Sequence, residues 1–379
     1  MTPAPDSINT DPSVAGSKPI GAPSLTIAGR AIGPGRPAYL IAEMSANHGG
    51  RYEDAVAIIH TAKESGADAV KLQTYTADTL TLDVEKPEFK AVGKLWRGRS
   101  LHSLYQEAHT PWDWQPKLAA VAAEIGIDLF SSPFDPTAVD FLEEMNCPAY
   151  KIASFELVDL PLIEKAASTG KPLIMSTGMA SLAEIDAAVR AARTAGAAGV
   201  ALLKCTSAYP ASPAEANLRT IPHLASAFGV PAGLSDHTLG TAVPIAAVAL
   251  GATIIEKHFT LSRETPGPDS AFSLEPAEFR QMVEAVRVTE AALGEVRYGT
   301  TAGSENSRRS RRSLYVSQNI KRGERFTPEN VRSVRPGHGL APETVGEDCR
   351  RVAATDLPAG VPLSWEYLGG RADAANEAE

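Results

Sequence analysis

The chain is 379 residues long, 44% hydrophobic and 21% charged, a globular composition with room for a large core and a smaller second domain. Its formal net charge of −9 leaves no global basic excess to neutralise phosphates, which argues against nucleic acid as the main partner. Three scattered cysteines, Cys147, Cys205 and Cys349, make neither a disulfide framework nor a zinc module. They fit a reducing cytoplasm, and neither a membrane-spanning apolar run nor a secretory signal is expected.

Residues 1–24 are rich in Pro, Ser, Ala, Gly and Asp and read as a disordered tail. From about residue 38 short apolar runs alternate with helical stretches. The runs expected to be strands are Ala38–Met44, Ala69–Gln73, Asp128–Ser132, Ala149–Ser154, Pro172–Thr177, Val200–Cys205, Ala232–His237 and Thr253–His258. Helices are expected over Tyr52–Ser65, Trp114–Glu124, Thr137–Met145, Leu182–Ala195, Thr241–Leu250 and Pro276–Leu293. Eight βα units imply an α/β chain whose parallel strands close into a (β/α)8 barrel over 25–297. A doubly wound sheet is the alternative, weakened because no glycine-rich dinucleotide turn follows the first strand.

A polar linker over 298–312 carries Arg308, Arg309, Arg311 and Arg312. It reads as a solvated hinge; it is short and lacks the aromatic interleaving of a nucleic-acid patch. A small domain at 313–371 follows, with β-like runs at Ser313–Val316, Val331–Val334 and Pro362–Trp365, and the last residues are expected to fray.

Catalytic groups of such barrels sit at the C-terminal strand ends. Every expected strand ends in polar residues, including Glu43, Asn47, His48, Lys71, Gln73, Ser131, Ser132, Asp236 and Lys257. His237 and His258 end neighbouring strands, where two imidazoles either share one divalent metal or each satisfy a backbone group. Ser235 and Glu256 precede them by two and so share their face. Lys71 and Lys151 lie inside apolar strands, which is costly unless they are paired. Two readings stand: both hold an anionic ligand with hydroxyls such as Ser132, Ser154 and Ser176, or each pairs with an interior carboxylate such as Glu43 or Glu256. The Ser176-Thr177-Gly178 turn adds donors but is a weak signal by itself. The aromatic stretch Ser100–Trp114, with Trp96 before it, reads equally as a lid or as packing. Arg335 sits between rigid turn residues, and spacing alone makes it a solvent-exposed turn.

The runs AEMSANHGG, KLQTYT, KIASFE, MSTGM, LLKCTSAYP, GLSDHT, EKHFTL and GPD resemble, in order, the sialic acid synthase family, and RRSLYV, IKRGE and RPGHG resemble its C-terminal SAF (antifreeze-like) domain. The resemblance spans about residues 25–370. AEMSANH, KLQTYTADTLT, LYQEAHTPWDW and GPDSAFSLEP lean toward the pseudaminic acid synthase branch. Sialic acid synthases proper more often carry Ile-Gly in the first motif, Phe in place of Leu72 and Asn where Ser207 stands.

The resemblance implies a metal-dependent condensation of phosphoenolpyruvate with the open-chain aldehyde of an acetamido-deoxyhexose, releasing phosphate. For the favoured branch the sugar is 2,4-diacetamido-2,4,6-trideoxy-L-altrose. The alternative is N-acetylneuraminate or legionaminate synthesis from N-acetylmannosamine or its 4-acetamido-6-deoxy relative. It also implies roles: His237 and His258 on Mn2+ or Mg2+; Lys71, Lys151, Ser132, Ser154, Ser176, Ser207 and Ser235 on phosphoenolpyruvate; Glu43, Gln73, Glu156, Tyr209, Glu256 and Asp269 toward the sugar and the intermediate. Arg335 would reach the sugar of a partner protomer in a domain-swapped homodimer. Glu43, Glu256 and Asp269 all stand as candidates for the general base. A carbohydrate-binding module on an inactive barrel is the rival from another class, and the complete histidine and lysine pairs argue against it.

Overall fold

Strands apolar on both faces need a filled interior and an outer layer of helices. The chain meets both needs in the computed structural model, which describes residues 24–91, 96–344, 346 and 350–371. The expected tail, the frayed end and Cys349 fall on residues outside that set, apart from residue 24 and residues 370–371. Two compact units divide the chain, 1–294 and 295–379.

Within the span expected for the barrel, 25–297, the described chain opens with a hairpin: β1 (Leu25–Ile27) pairs antiparallel with β2 (Arg30–Ile32). It packs at the N-terminal ends of the barrel strands. Arg30 pairs with Asp68 just before a strand and stacks 5.3 Å over the Tyr39 ring, and Tyr39 donates to Asp128 Oδ2 at 2.6 Å. The eight parallel strands are β3 (Tyr39–Glu43), β4 (Ala69–Thr74), β5 (Asp128–Pro133), β6 (Tyr150–Ile152), β7 (Leu173–Ser176), β8 (Val200–Cys205), β9 (Ala232–Asp236) and β10 (Ile254–His258). They close in the order β10-β3-β4-β5-β6-β7-β8-β9. The expected (β/α)8 barrel is therefore the observed one.

All eight strands and the six helices fall where the hydrophobic rhythm puts them, with ends shifted by one or two residues. Local chemistry sets the helix starts. Asp135 caps Pro136–Glu144 and Asp159 caps Leu160–Ala167, while Ser181 and Glu184 form a reciprocal capping box before Leu182–Thr194. Three further helices of about two turns, Leu101–Ala108, Leu160–Ala167 and Thr220–Phe228, add to the expected six. Gly233 is required by packing: a Cβ there would meet the Ile254 carbonyl oxygen at 2.2 Å, so only glycine lets β9 and β10 approach this closely.

In the second unit β11 (Ser313–Val316) pairs with β12 (Val331–Val334), and β13 (Arg351–Ala353) pairs with β14 (Leu368–Arg371). Leu314, Val316, Ile320, Phe326, Leu357 and Leu363 form its core. The run expected at Pro362–Trp365 is not a strand. Pro362 makes one isolated bridge to Tyr315, and Trp365 begins a 3-10 turn, Trp365–Tyr367, because proline brings no amide to a ladder. The arginine-rich stretch forms an exposed 3-10 turn, Glu305–Ser310, in which Arg308 pairs with Glu305. No helix among the described residues is long and apolar enough to cross a membrane.

Candidate active site

The register of the barrel decides which polar residues meet. Ser235 lies beside Glu256, His258 beside Glu43, Glu43 beside Lys71, and Gln73 beside Ser132. With a side-chain period of two, these residues face inward at the C-terminal mouth. Their odd-numbered or even-numbered neighbours face the helices. Asp236 and Lys257 are such neighbours. Their buried ion pair, 2.5 Å long, lies outside the barrel wall, where Lys257 also donates to the Thr238 carbonyl. Ser131 likewise turns outward to Thr74 at 2.6 Å.

Two further strand-end residues belong to the loop and not to the mouth. His48 accepts from the Gly50 amide through Nδ1, lies 3.2 Å from Thr110 Oγ1 through Nε2, and packs edge-on against Trp114. Burial pushes its pKa down to about 4, so it is a neutral structural imidazole. Asn47 donates to the Phe259 carbonyl and to Ser273 Oγ, both at 2.9 Å, tying the first loop to the last.

At the mouth itself the two lysines share one carboxylate. Glu256 Oε1 lies 3.1 Å from Lys151 Nζ and 3.9 Å from Lys71 Nζ, and accepts from Ser235 Oγ at 3.0 Å. Lys71 also pairs with Glu43 Oε2 at 2.5 Å and donates to Ser132 Oγ at 3.3 Å. Of the two readings of the lysines, carboxylate pairing is what the structure contains. Burial acts in opposite balance on the two acids. Glu43 is pushed up to about 7, because desolvation outweighs Lys71 and Glu256 adds repulsion. Glu256 is held at about 2, because the two ammonium groups and their hydrogen bonds overcome its burial.

His237 and His258 stand with ring centroids 5.3 Å apart. His237 Nδ1 donates to the Thr206 carbonyl at 3.0 Å, so that nitrogen carries the proton and Nε2 keeps its lone pair. His258 Nδ1 is buried with no hydrogen-bond partner, and burial drives the imidazole well toward its neutral form. Two imidazoles this close, with the His237 proton placed on Nδ1 and the His258 Nδ1 unpaired, fit a divalent cation. Among the described residues no group of three or more His, Cys, Asp or Glu is arranged to hold a metal, so a cation shared here would complete its shell with water or ligand oxygens.

Hydroxyls and aromatic rings line the rest. Ser154 and Ser207 close on Gly178, where an added Cβ would sit 2.6 Å and 2.7 Å from their Oγ atoms. Ser176 Oγ, Glu256 Oε2 and Glu156 Oε2 are buried without hydrogen-bond partners. Such unpaired atoms are rare in a finished core and mark where a ligand belongs. Glu156, in the 3-10 turn Glu156–Val158, is pushed up to about 7 by burial. Tyr209 stacks 4.4 Å from His237 and 5.9 Å from Trp96, whose indole donates to the Pro268 carbonyl at 3.1 Å. The aromatic stretch thus divides: Trp96 borders the mouth, while Trp112 donates to the Tyr75 carbonyl and Trp114 packs on Tyr52. Gln73 donates to Glu43 Oε1 at 2.9 Å and to Ser45 Oγ at 3.0 Å, and Ser45 donates to Asp269 Oδ2. Sequence reasoning had not singled out Ser45. Of the expected site residues only Arg335 lies in the second unit, where it is exposed after β12.

The NeuB family profile matches residues 58–298, and the SAF domain profile matches residues 311–368. The chain is 44% identical to the pseudaminic acid synthase of Helicobacter pylori over 334 residues, 88% of this chain and 98% of the relative. It is 35% identical to the N,N'-diacetyllegionaminic acid synthase of Legionella pneumophila, over 87% of this chain and 94% of the relative. The crystal structure of N-acetylneuraminic acid synthetase from Leptospira borgpetersenii in complex with citrate superposes with a TM-score of 0.68 at 31% identity, covering 76% of this chain and 95% of the other. Closed barrel, mouth chemistry and these matches agree, and the chain belongs to the NeuB family, with a SAF domain following its barrel.

Proposed function

We propose that the chain is a pseudaminic acid synthase, condensing phosphoenolpyruvate with the open-chain aldehyde of 2,4-diacetamido-2,4,6-trideoxy-L-altrose and releasing phosphate. The observation that carries this reading is the convergence of two ammonium groups, two carboxylates and two imidazoles on one barrel mouth. The choice of sugar rests on the 44% identity to the H. pylori synthase against 35% to the L. pneumophila enzyme. The latter supports the second reading, a legionaminate or N-acetylneuraminate synthase.

In this reading Lys71 and Lys151, with Ser132, Ser154, Ser176, Ser207 and Ser235, grip the carboxylate and phosphate of phosphoenolpyruvate. Charge-assisted hydrogen bonds to both anionic groups replace part of the lysines' pairing with Glu43 and Glu256. Gln73, Glu156, Tyr209 and Asp269 face the sugar. His237 and His258 would hold Mn2+ or Mg2+, which supplies Lewis-acid polarisation of an aldehyde oxygen. C3 of phosphoenolpyruvate attacks the aldehyde carbon and forms the new C–C bond. Positive charge grows at C2, beside the Glu43 and Glu256 carboxylates. Water adds at C2 and gives up one proton, the former aldehyde oxygen takes one up and becomes a hydroxyl, and the C2–O bond to phosphate then breaks as the C2 hydroxyl passes its remaining proton to the leaving phosphate, which leaves a 2-keto acid. Glu43 suits the base for that proton: at about 7 it is poised near neutrality, while Glu256 at about 2 is too weak a base. The proposal includes a domain-swapped homodimer in which Arg335 serves the sugar bound by the other protomer.

The test is phosphate release from phosphoenolpyruvate and Mn2+ with a panel of sugars. Turnover is expected with the L-altro diacetamido sugar. Turnover only with N-acetylmannosamine or its 4-acetamido-6-deoxy relative selects the second reading, and none with any sugar overturns both. Turnover that survives a chelator overturns the metal role, and a monomer in sedimentation overturns the swap.

A further inference from the structure

Ser45 is the residue at the mouth whose backbone is in the wrong conformation for its side chain. It follows β3 in a tight turn closed by the Asn47 amide on the Met44 carbonyl at 3.1 Å, and its φ is +45°. That left-handed region at the second position of a turn favours glycine, because a Cβ crowds the neighbouring carbonyl. A strained residue persists only where something else holds it there. Here the hold is the hydroxyl. It is buried, it accepts from Gln73 Nε2 at 3.0 Å, and it donates to Asp269 Oδ2, from a part of the chain 224 residues away. The adjacent Ala46 amide also donates to the Asp269 carboxylate, so one turn presents two donors to one acid.

The chain of contacts runs Glu43, Gln73, Ser45, Asp269 across the mouth. Glu43 and Gln73 lie on rigid strands, whereas Asp269 lies on the long connection after β10. Its Ser45 and Ala46 bonds aim that carboxylate inward. The other anchors of the connection, Asn47 on Ser273 Oγ and Ser273 Oγ on the Asp269 carbonyl, fix its backbone.

We infer that Ser45 is a positioning residue for sugar selection: its strained turn holds the Asp269 carboxylate and the Gln73 amide as one preset pair of acceptor and donor for the polyhydroxylated, acetamido-bearing co-substrate. This rests on the reading above. Phosphoenolpyruvate, gripped by Lys71 and Lys151, makes no use of the pair: Lys71 sits one layer below Gln73 on β4 and points to Glu43 and Ser132.

Two variants separate the hydroxyl from the strain. Ser45→Gly removes both, and Ser45→Ala removes the hydroxyl and keeps the Cβ. With the accepted sugar, KM rises about tenfold or more in both, KM for phosphoenolpyruvate stays within about twofold, and discrimination between the panel's sugars narrows. The thermal midpoint of Ser45→Gly stays at or above the wild-type value, because glycine suits the turn. Unchanged sugar KM in both variants overturns the inference. So does an equal rise in KM for phosphoenolpyruvate, or unfolding of Ser45→Gly, which would make the hydroxyl's work structural. Absence of turnover in the wild-type protein with every sugar overturns instead the synthase reading on which the inference stands.

Discussion

Lys151 and Lys71 converge on a single oxygen atom, Glu256 Oε1, at 3.1 Å and 3.9 Å, and both side chains are almost fully buried. Two buried ammonium groups around one carboxylate leave a local positive excess that Glu43, pushed up to about 7, only partly cancels at neutral pH. An anion entering the mouth meets charges already stripped of water, where attraction is strong. The folded protein alone keeps them there only because Glu256 stays ionised.

Glu256→Gln tests that balance. Removing one member of a buried charge cluster is expected to cost about 3 kcal/mol in urea unfolding. Turnover is lost, yet inorganic phosphate should raise the melting temperature more in the variant than in the parent, since Lys151 then lacks its carboxylate and Lys71 keeps only Glu43. A smaller phosphate effect in the variant would mean that the lysines do not form an anion site.

The pH profile follows from Glu43. Its carboxyl, raised to about 7, is protonated and unable to accept a proton on the acid side. kcat/KM should therefore fall as pH drops below about 7 and level off above it. Glu43→Gln should lose this limb along with most of the rate. A variant that retains the same limb would assign it to another group.

Much of this site was legible in the sequence, and the reasons differ from residue to residue. Lys71 within Ala-Val-Lys-Leu-Gln stood out because a charge inside a strand must find a partner, and the barrel rule fixed the end at which it would be found. Which way Asp236 and Lys257 point was equally readable from parity. Counting two back from His258 puts Glu256 inside and leaves Lys257 outside, so of the polar residues that close these strands only alternate ones reach the mouth. His48 and Asn47 could not be placed this way, since the strand ends at Glu43 and a turn breaks the parity. Ser45 was hidden for the same reason: nothing in Glu-Met-Ser-Ala announces a positive φ. The two-turn helices Leu160–Ala167 and Thr220–Phe228 carry a readable apolar face, Leu162, Ile163 and Ala166 in the first and Ile221 and Leu224 in the second, and are no harder to read than Pro136–Glu144.

Glu156 predicts a stability effect with its own sign. One of its oxygens is buried without a partner, and burial moves the carboxyl from 4.5 to about 7. The fold thus binds this proton more tightly than the unfolded chain does. Its stability is full below about pH 4.5 and declines as pH rises to about 7, by at most roughly 3 kcal/mol. Glu156→Gln should match the parent at pH 4.5 and exceed it at pH 8, while Glu43 leaves a residual slope of the same sign. An unchanged slope in urea titrations across that range would show that Glu156 is solvated and ionised at neutrality.

Gly178→Ala isolates the hydroxyl wall of the mouth from its charges. The added methyl would stand 2.4 Å from Ser154 Cβ, 2.6 Å from Ser154 Oγ and 2.7 Å from Ser207 Oγ, distances that real Cβ atoms do not tolerate. Both serines must turn away or the strand ends must part. If these hydroxyls bind phosphoenolpyruvate, its KM should rise about tenfold or more, because two hydrogen bonds at about 1 kcal/mol or more each are lost together. The lysine cluster is untouched, so kcat at saturating phosphoenolpyruvate should fall far less, and the sugar's KM should hold. A variant that stays folded with an unchanged KM for phosphoenolpyruvate, but a raised one for the sugar, would move this wall from the anion to the co-substrate.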